Sequence, residues 1–422
     1  MGNAQSPSSN PRFVSASRAF TPNELEDLKS TFTSLAAQSQ SNGRYISPSV
    51  FQAYFGLRGV LGERLFDLVS QKRKDQQLTF EDLVIAKGIY EKGTKDEVED
   101  FIYQLLDVTN DGILSSSDLK AVLMAMLDDI FSVTKSEDGS SSDDYIVDIF
   151  FNSATFSIDG GGGSENSMSF EDFRSWIALL PSARKFLGGL LMPPNPGRPG
   201  YQVPYLLYPE NVDSNSLVLR KEYAWHIGGT LSQQELEAWK LLYHSSYHGL
   251  SFNTFLGNIS NDEQPTVLII KDKEGYIYGG YAAQPWERHG DFYGDMKSFL
   301  FQLYPKAAIF RPTGANSNIQ WCAVNFSSES IPNGVGFGGR VNHFGFFISS
   351  SFDQGHSFTC TTFGSPCLSK TNRIHPDVIE CWGVIPKGLQ EARSDTVKGT
   401  VLERFKEDRH MLNMVGLANS SE

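Results

Sequence analysis

Residues 241–386 constrain the fold most, because they combine dense aromatic side chains, apolar alternation and glycine turns. Within them, residues 266–272 and 276–282 have the composition of strands, and Lys273-Glu274-Gly275 between them is typical of a hairpin turn. Residues 379–384 alternate like a strand that buries its Cys and Trp side chains. The residues alone therefore predict an aromatic-rich α+β domain without a recognisable catalytic signature.

Immediately upstream, Ser232 and Glu235 have the spacing of a capping box, in which two side chains satisfy the first backbone N–H groups of a helix. The apolar residues Trp239, Leu241 and Leu242 follow. This pattern predicts a helix that leads into the aromatic stretch.

The N-terminal half is predicted to be helical. Thr21 with Glu24, and Thr94 with Glu97, form capping boxes that precede apolar residues at helical spacing. The helix that begins at Thr94 runs into residues 107–118, which resemble the twelve-residue EF-hand calcium loop. Gly112 occupies the sixth place, where the loop needs a sharp turn. The predicted ligands are oxygen atoms of Asp107, Thr109, Asp111, Ile113 (through its carbonyl), Ser115 (directly or through water) and Asp118.

Two ligands depart from the EF-hand pattern. Thr109 replaces the usual Asp or Asn, and Asp118 replaces the usual Glu. Because Asp118 is shorter, it is expected to reach the ion less well, so calcium affinity should fall and Mg²⁺ should compete more strongly. The alternative is a structural loop that stays empty.

The flanking segments look like EF-hand loops that have lost their ligands. Residues 78–83 and 168–173 have the shape of a loop's second half, and residues 46–51 are a further remnant. Residues 21–190 are therefore predicted to form an all-α, EF-hand-like module of four units with at most one working site. Residues 136–144 are predicted to be an acidic, solvated insertion.

Composition limits the classes of partner and compartment. The formal net charge of -13 argues against nucleic acid as the main partner. No run approaches the ~18 apolar residues of a membrane-spanning helix, and the first residues lack the apolar core of a secretory signal. The four cysteines are too few for a disulfide framework and are interpreted as reduced thiols in a cytoplasmic protein.

The two ends of the chain and the middle carry separate predictions. Residues 1–20 are expected to be a flexible tail in which Gly2 fits the N-myristoylation pattern, with an unmodified disordered start as the alternative. Because one myristoyl chain binds membranes only marginally, such anchoring would be reversible or completed by a partner. Residues 191–216 are predicted to be a Pro-rich linker. Residues 387–422 are predicted to contain an amphipathic helix and tail, which packs on its own domain or is offered to a partner groove.

Residues 217–386 resemble the TLDc family. The resemblance rests on motifs in uninterrupted order, which are residues 239–252 (WKLLYHSSYHGLSF), 267–280, Trp286, 292–301 (FYGDMKSFLF), 344–347, 360–363 (CTTF) and 379–383 (IECWG). His244 departs from the pattern, which has Ser at that place. The fold implied is an antiparallel β-sandwich with flanking helices.

The whole arrangement is similar to the N-myristoylated, EF-hand-containing subgroup of TLDc proteins. That resemblance implies a multidomain, non-enzymatic regulator that binds the peripheral sector of the vacuolar-type proton ATPase and contributes to oxidative-stress resistance. It also implies a calcium-responsive protein on the cytosolic face of endomembranes, such as the vacuole or lysosome, or of the plasma membrane.

Three alternatives stay open. His244 and His248 have the i,i+4 spacing of zinc ligands, but no further ligand motif accompanies them. A stress-protective enzyme would use Glu380 with His356 and with Cys360 or Cys381 as nucleophile and base. The third alternative is a calcium-binding membrane scaffold without contact to the pump.

Overall fold

The computed structural model describes residues 10–39, 41, 43–71, 75, 77–131, 142–158, 166–194, 197–259 and 264–385. The chain divides into two compact units. The first comprises Met1–Ala178 and Ala183–Tyr201, and the second comprises Leu179–Ser182 and Gln202–Glu422. Among the described residues, no helix has both the length and the apolar character needed to cross a bilayer.

The N-terminal region is helical. Its helices are α1 Pro11–Ser17, α2 Pro22–Gln38, α3 Pro48–Phe55, α4 Gly59–Val69, α5 Phe80–Lys92, α6 Lys95–Leu106, α7 Ser116–Phe131, α8 Ser142–Phe151, α9 Phe170–Leu179 and α10 Pro181–Leu187. The capping boxes predicted at Thr21 and Thr94 are confirmed, and Thr79 with Asp82 forms a third. Each satisfies N–H groups that the first helical turn leaves without partners.

Short backbone pairings join the loops between these helices two by two. Ile46, before α3, pairs with Leu78, before α5, through two hydrogen bonds of 2.9 and 3.3 Å. The loop before α7 pairs in the same way with the loop before α9, where Met168 N donates to Leu114 O at 2.9 Å. The described residues therefore contain four helix–loop–helix units arranged as two pairs.

The region expected to be a flexible tail differs from that prediction. Asn10 caps α1 by accepting a hydrogen bond from Arg12 N, and Pro11 stands at the first helical position. Ala16 of α1 approaches Gly88 of α5 so closely that a Cβ on Gly88 would lie 3.0 Å from the Ala16 Cβ. Residues 11–17 therefore belong to the helical unit. Residues 1–9, including Gly2, lie outside the described residues, as do residues 136–141 of the predicted acidic insertion, whose last residues, 142–144, lie in α8.

The predicted linker also differs from what the structure contains. The buried Arg198 donates hydrogen bonds to the carbonyls of Phe55, Gly189 and Leu190, at 2.8 to 3.1 Å. Further along, β3 (Tyr205–Leu207) pairs with a strand of the second unit. The stretch 191–216 is thus divided between the two compact units, since residues 191–201 belong to the first and residues 202–216 to the second.

The second unit is a two-sheet sandwich, as predicted. Besides β3, its strands are β4 Ala238–His244, β5 Thr266–Asp272, β6 Ile277–Ala282, β7 Phe299–Tyr304, β8 Ala308–Phe310, β9 Gln320–Ala323, β10 Gly334–Arg340, β11 His343–Ser349, β12 Gly355–His356, β13 Arg373–Ile374 and β14 Pro376–Ile385. The seven-stranded sheet has the order β3, β4, β14, β5, β6, β7, β8, and the five-stranded sheet has the order β13, β12, β11, β10, β9. Apart from the parallel pair β3–β4, all pairings in these two sheets are antiparallel. In the first unit, β1 Ser157–Ile158 pairs with β2 Asn166–Ser167.

Side chains from both sheets fill the core of the sandwich. Leu268 and Tyr278 of the seven-stranded sheet belong to the same buried cluster as Val335, Phe337 and Phe346 of the five-stranded sheet. The hairpin predicted at residues 266–282 is confirmed by the antiparallel pairing of β5 and β6. Helices α11 Lys221–Gly228, α12 Ser245–His248 and α13 Phe252–Ile259 accompany the sheets.

The helix predicted after Ser232 is wrong. The capping box at Ser232 forms, but it starts only a short 3-10 turn, Gln233–Leu236, after which β4 begins. Trp239, Leu241 and Tyr243 alternate along β4 with a period of two, and all three are buried. Pairing of β4 with β14 outweighs the local signal for a helix.

The Gly-rich segment 334–339 lies within strand β10. A Cβ on Gly334 would lie 2.2 Å from the Ile348 carbonyl oxygen of β11, so a larger residue does not fit there. The glycines therefore allow close packing of adjacent strands.

Candidate functional site

The predicted calcium loop connects α6 to α7 and begins at the buried residue Asp107. One carboxylate oxygen of Asp107, Oδ2, accepts a hydrogen bond from Gly112 N at 3.1 Å, and the other, Oδ1, lies 3.5 Å from Thr109 Oγ1. Gly112 has a φ of 88°, a conformation that glycine adopts without strain. The first carboxylate of the loop is therefore held in place by the turn that the sequence pattern requires.

Asp118 closes the loop at its other end. Its Oδ2 accepts hydrogen bonds from Ser115 N at 3.1 Å and from Ser115 Oγ at 2.7 Å, while Ser115 Oγ accepts one from Asp118 N. Its Oδ1 accepts one from Thr109 N at 3.2 Å. Through these hydrogen bonds Asp118 links the first turn of α7 to the start of the loop. Asp118 is only 2% exposed.

The other two predicted ligand residues, Asp111 and Ile113, have exposed side chains. Asp111 is exposed, and its Oδ1 accepts a hydrogen bond from Ile113 N at 2.8 Å. Ile113 is 51% exposed. Within the described part of the chain, no three His, Cys, Asp or Glu side chains form a group that could hold a metal ion. The loop nevertheless offers oxygen donors alone, which is the chemistry that Ca²⁺ and Mg²⁺ prefer.

Sequence reasoning missed Arg64, which lies beside the first ligand. Its Nη2 is 3.6 Å from Asp107 Oδ2, and its side chain is 3% exposed. The same guanidinium donates two hydrogen bonds, of 2.8 and 3.2 Å, to the carbonyl of Gln104 near the end of α6. Burial lowers the pKa of Arg64, while Asp107, Asp67 and Asp118 oppose that shift. The available signal was a single charged residue between Leu61 and Leu65 on the buried face of α4.

In the second unit, Glu380 of β14 is a fully buried carboxylate. It accepts hydrogen bonds from Val218 N at 2.5 Å, Leu219 N at 3.1 Å and Trp382 Nε1 at 2.9 Å. His244 Nε2 lies 3.5 Å from Glu380 Oε1. Glu380 thereby fixes the backbone before α11 against the seven-stranded sheet.

The residues considered as a catalytic set are not brought together. Glu380 lies on β14 of the seven-stranded sheet, whereas His356 lies on β12 of the five-stranded sheet, where its ring stacks on Phe347 at 5.2 Å. Burial, with a smaller contribution from His343, lowers the pKa of His356 to about 4. Cys360 and Cys381 form no disulfide bond and are at most 1% exposed. These thiols are inaccessible to a substrate in this conformation.

The two histidines considered as zinc ligands bond to nearby backbone instead. His248 ends α12, and its Nδ1 accepts a hydrogen bond from His244 N at 3.0 Å. His244 Nδ1 accepts one from Ser246 N at 3.1 Å. Each Nδ1 atom is thus occupied by a local N–H donor. The predicted lipidation residue Gly2 and the predicted helix in residues 387–422 fall outside the described residues.

Comparison with known proteins identifies the second unit. Residues 212–385 match the TLDc domain. Relatives include MTOR-associated protein MEAK7 of Danio rerio, with 32% identity over 262 residues, covering 60% of this chain and 57% of the relative. The Homo sapiens protein of the same name is 33% identical over 201 residues, covering 47% of this chain and 43% of the relative. Oxidation resistance protein 1 of Rattus norvegicus is 29% identical over 144 residues, covering 34% of this chain and 16% of the relative.

This chain spans about half the length of the mTOR-associated relatives that it matches. The match to the Danio rerio protein is longer than the TLDc domain, so it includes residues outside 212–385. The two-sheet architecture, the strand motifs and the domain match agree on one assignment: residues 212–385 of this chain are a TLDc domain.

Proposed function

We propose that this protein is a non-enzymatic regulatory adaptor whose TLDc domain binds the peripheral sector of the vacuolar-type proton ATPase. The match of residues 212–385 to the TLDc domain carries this proposal, together with the pump binding that the family resemblance implies. A relative named oxidation resistance protein 1 supports a contribution to oxidative-stress resistance.

The contacts of Glu380 favour an adaptor over a catalyst. Both carboxylate oxygens of Glu380 accept N–H hydrogen bonds from the protein itself, and the residue has no exposed surface. An acid or base must reach the proton that it transfers within hydrogen-bonding distance. Glu380 is better placed to hold the TLDc domain together than to meet a substrate.

Calcium responsiveness is the second part of the proposal. The four helix–loop–helix units with paired loops support an EF-hand-like module, and Asp107, Thr109, Asp111, Ile113, Ser115 and Asp118 would hold the ion. Because Thr109 and Asp118 replace the usual EF-hand ligands, we expect modest calcium affinity and competition by Mg²⁺. The ion would supply charge that draws these oxygens together and orders the loop.

Membrane association is the third part. Myristoylation of Gly2 would give reversible attachment to the cytosolic face of endomembranes or the plasma membrane, and pump binding would complete it. The helix predicted in residues 387–422 is a further candidate contact with the pump.

Size-exclusion chromatography of the full chain with the purified peripheral sector tests the proposal. We expect co-elution that changes between millimolar calcium and a chelator, and an Asp107→Ala/Asp118→Ala variant that behaves as the chelated protein in both buffers. Elution as separate species under both conditions would rule out the pump as the partner.

The names of the relatives favour a second candidate partner. MEAK7 is named as an mTOR-associated protein in several vertebrates, so a complex that contains mTOR is the alternative. Affinity capture of the full chain from cells, followed by mass spectrometry, distinguishes the pump from a complex that contains mTOR, because pump subunits and mTOR give different peptides.

A further inference from the structure

Arg64 is a buried cation beside the candidate metal loop. Its guanidinium contacts the first ligand, Asp107, at 3.6 Å and is held there by two hydrogen bonds to the Gln104 carbonyl. A buried guanidinium stays protonated at any pH at which the protein is folded. The position of this charge is therefore fixed by α4 and α6, and it does not depend on solvent conditions.

The two oxygens of Asp107 face different partners. Oδ2 accepts the Gly112 N–H and faces Arg64, whereas Oδ1 lies near Thr109 Oγ1. Thr109 N in turn donates to Asp118 Oδ1, so Oδ1 atoms of both buried carboxylates lie around Thr109. A cation at the loop would bind on the Oδ1 side and leave the Arg64 contact with Oδ2 in place.

We propose that Arg64 is a resident counter-charge of this loop, which lowers its affinity for divalent cations without occupying a ligand position. This inference rests on the proposed calcium binding. The physical reason is that a fixed positive charge on one side of a carboxylate repels a dication on the other side, and burial of Arg64 weakens solvent screening of that repulsion.

Arg64 also connects the two loop pairs. It lies on α4, which leads to the loop containing Leu78, while Asp107 opens the loop that pairs with Met168. Repulsion between a bound dication and Arg64 would weaken the hydrogen bonds by which Arg64 of α4 contacts the Gln104 carbonyl near the end of α6. Metal binding at the loop that begins at Asp107 would therefore affect α4, a helix of the other loop pair.

Calorimetric titration of calcium into the full chain and its Arg64→Gln variant tests the inference. The Gln side chain keeps a donor for the Gln104 carbonyl but removes the charge, so affinity should increase about tenfold or more. Arg58→Gln is the matched control, because Arg58 is exposed and lies just before the same helix. It should leave affinity within about twofold of wild type, since exposed charges are screened.

Arg64→Lys separates charge from packing, because it keeps the positive charge on a different head group. We expect affinity near that of wild type. Circular dichroism checks that each variant is folded, and Arg64→Met repeats the test if the Gln variant is not.

The outcomes are distinct. Equal calcium affinity of wild type and Arg64→Gln would overturn the inference and leave calcium binding intact. The inference would also be overturned if Arg64→Lys, which keeps the charge, bound calcium as tightly as Arg64→Gln. Calcium binding by Arg64→Gln but not by wild type would support the inference and show that the Arg64 charge prevents calcium binding in the wild-type protein. No heat from either protein at millimolar calcium would overturn both calcium binding and this role of Arg64.

Discussion

Glu380 and His244 lie opposite each other on adjacent strands, with Glu380 Oε1 3.5 Å from His244 Nε2 and both residues at most 1% exposed. Burial raises the pKa of Glu380, and the N–H donors of Val218, Trp382 and Leu219, together with His244, oppose that shift. A carboxylate in such a place is tolerated because its hydrogen bonds replace those lost from water. The pair therefore joins β4, β14 and the backbone before α11.

We expect Glu380→Gln to destabilise the TLDc domain by about 2–4 kcal/mol, since removing one member of a buried hydrogen-bonded network leaves its partners unsatisfied. The Gln amide can accept from only one of the two adjacent backbone N–H groups through its oxygen, and its NH₂ group faces the other. Urea unfolding followed by tryptophan fluorescence measures the loss.

The exposed Glu237 supplies the control, because Glu237→Gln makes the same chemical change in the same domain. It should shift the free energy of unfolding by less than about 0.5 kcal/mol. Equal stability of the two variants would mean that Glu380 does not hold the domain together.

Arg198→Met should destabilise the helical unit by about 3–5 kcal/mol, because it removes a buried guanidinium that donates to the carbonyls of Phe55, Gly189 and Leu190. Circular dichroism at 222 nm during urea unfolding follows this unit. Arg44→Met, at an exposed position of the same unit, is the matched control. If the two variants unfold at the same urea concentration, residues 191–201 act as a spacer after all.

Asp118→Glu should tighten calcium binding about tenfold, equal to about 1.4 kcal/mol. The added methylene lets both carboxylate oxygens reach the ion, which raises the number of ligands. Calorimetry of the full chain measures the change, with Asp27→Glu on the exposed face of α2 as control. Unchanged affinity would show that the reach of Asp118 does not limit the site.

Stability of the TLDc domain should fall as pH drops from 6.5 towards 4. Burial lowers the pKa of His226 to about 3, and burial with a smaller effect of His343 lowers that of His356 to about 4. In this pH window the unfolded chain binds protons that the folded domain does not. Unfolding therefore takes up as many as two protons, and a lower pH favours the unfolded state. Below the folded-state pKa values, the stability that the two neutral histidines contribute is fully lost.

Urea midpoints at pH 7, 6 and 5 test this dependence. His356→Phe preserves the stack on Phe347 and should reduce the pH dependence by one proton, whereas His375→Gln at an exposed position should not change it. An unaltered slope in His356→Phe would show that His356 binds protons equally in the folded and unfolded states, against the lowered pKa.

Local patterns predicted the elements whose signals agree with their surroundings. The capping boxes at Thr21 and Thr94 and the β5–β6 hairpin appear in the structure. The two-sheet sandwich, which the TLDc resemblance implied, is also present. The Ser232 box failed as a helix signal because a cap specifies how a helix begins and carries no information on its length. Alternation of Trp239, Leu241 and Tyr243 was the better guide.

The sequence by itself determined the loop residues, the turn at Gly112 and the TLDc motifs, since these depend on residue type and spacing along the chain. Only the tertiary structure decided that Arg64 lies against Asp107, that Arg198 anchors the supposed linker, and that Glu380 bonds to Val218. The physical reason is that buried polar side chains must find partners wherever the fold supplies them, and those partners lie 43, 143 and 162 residues away along the chain.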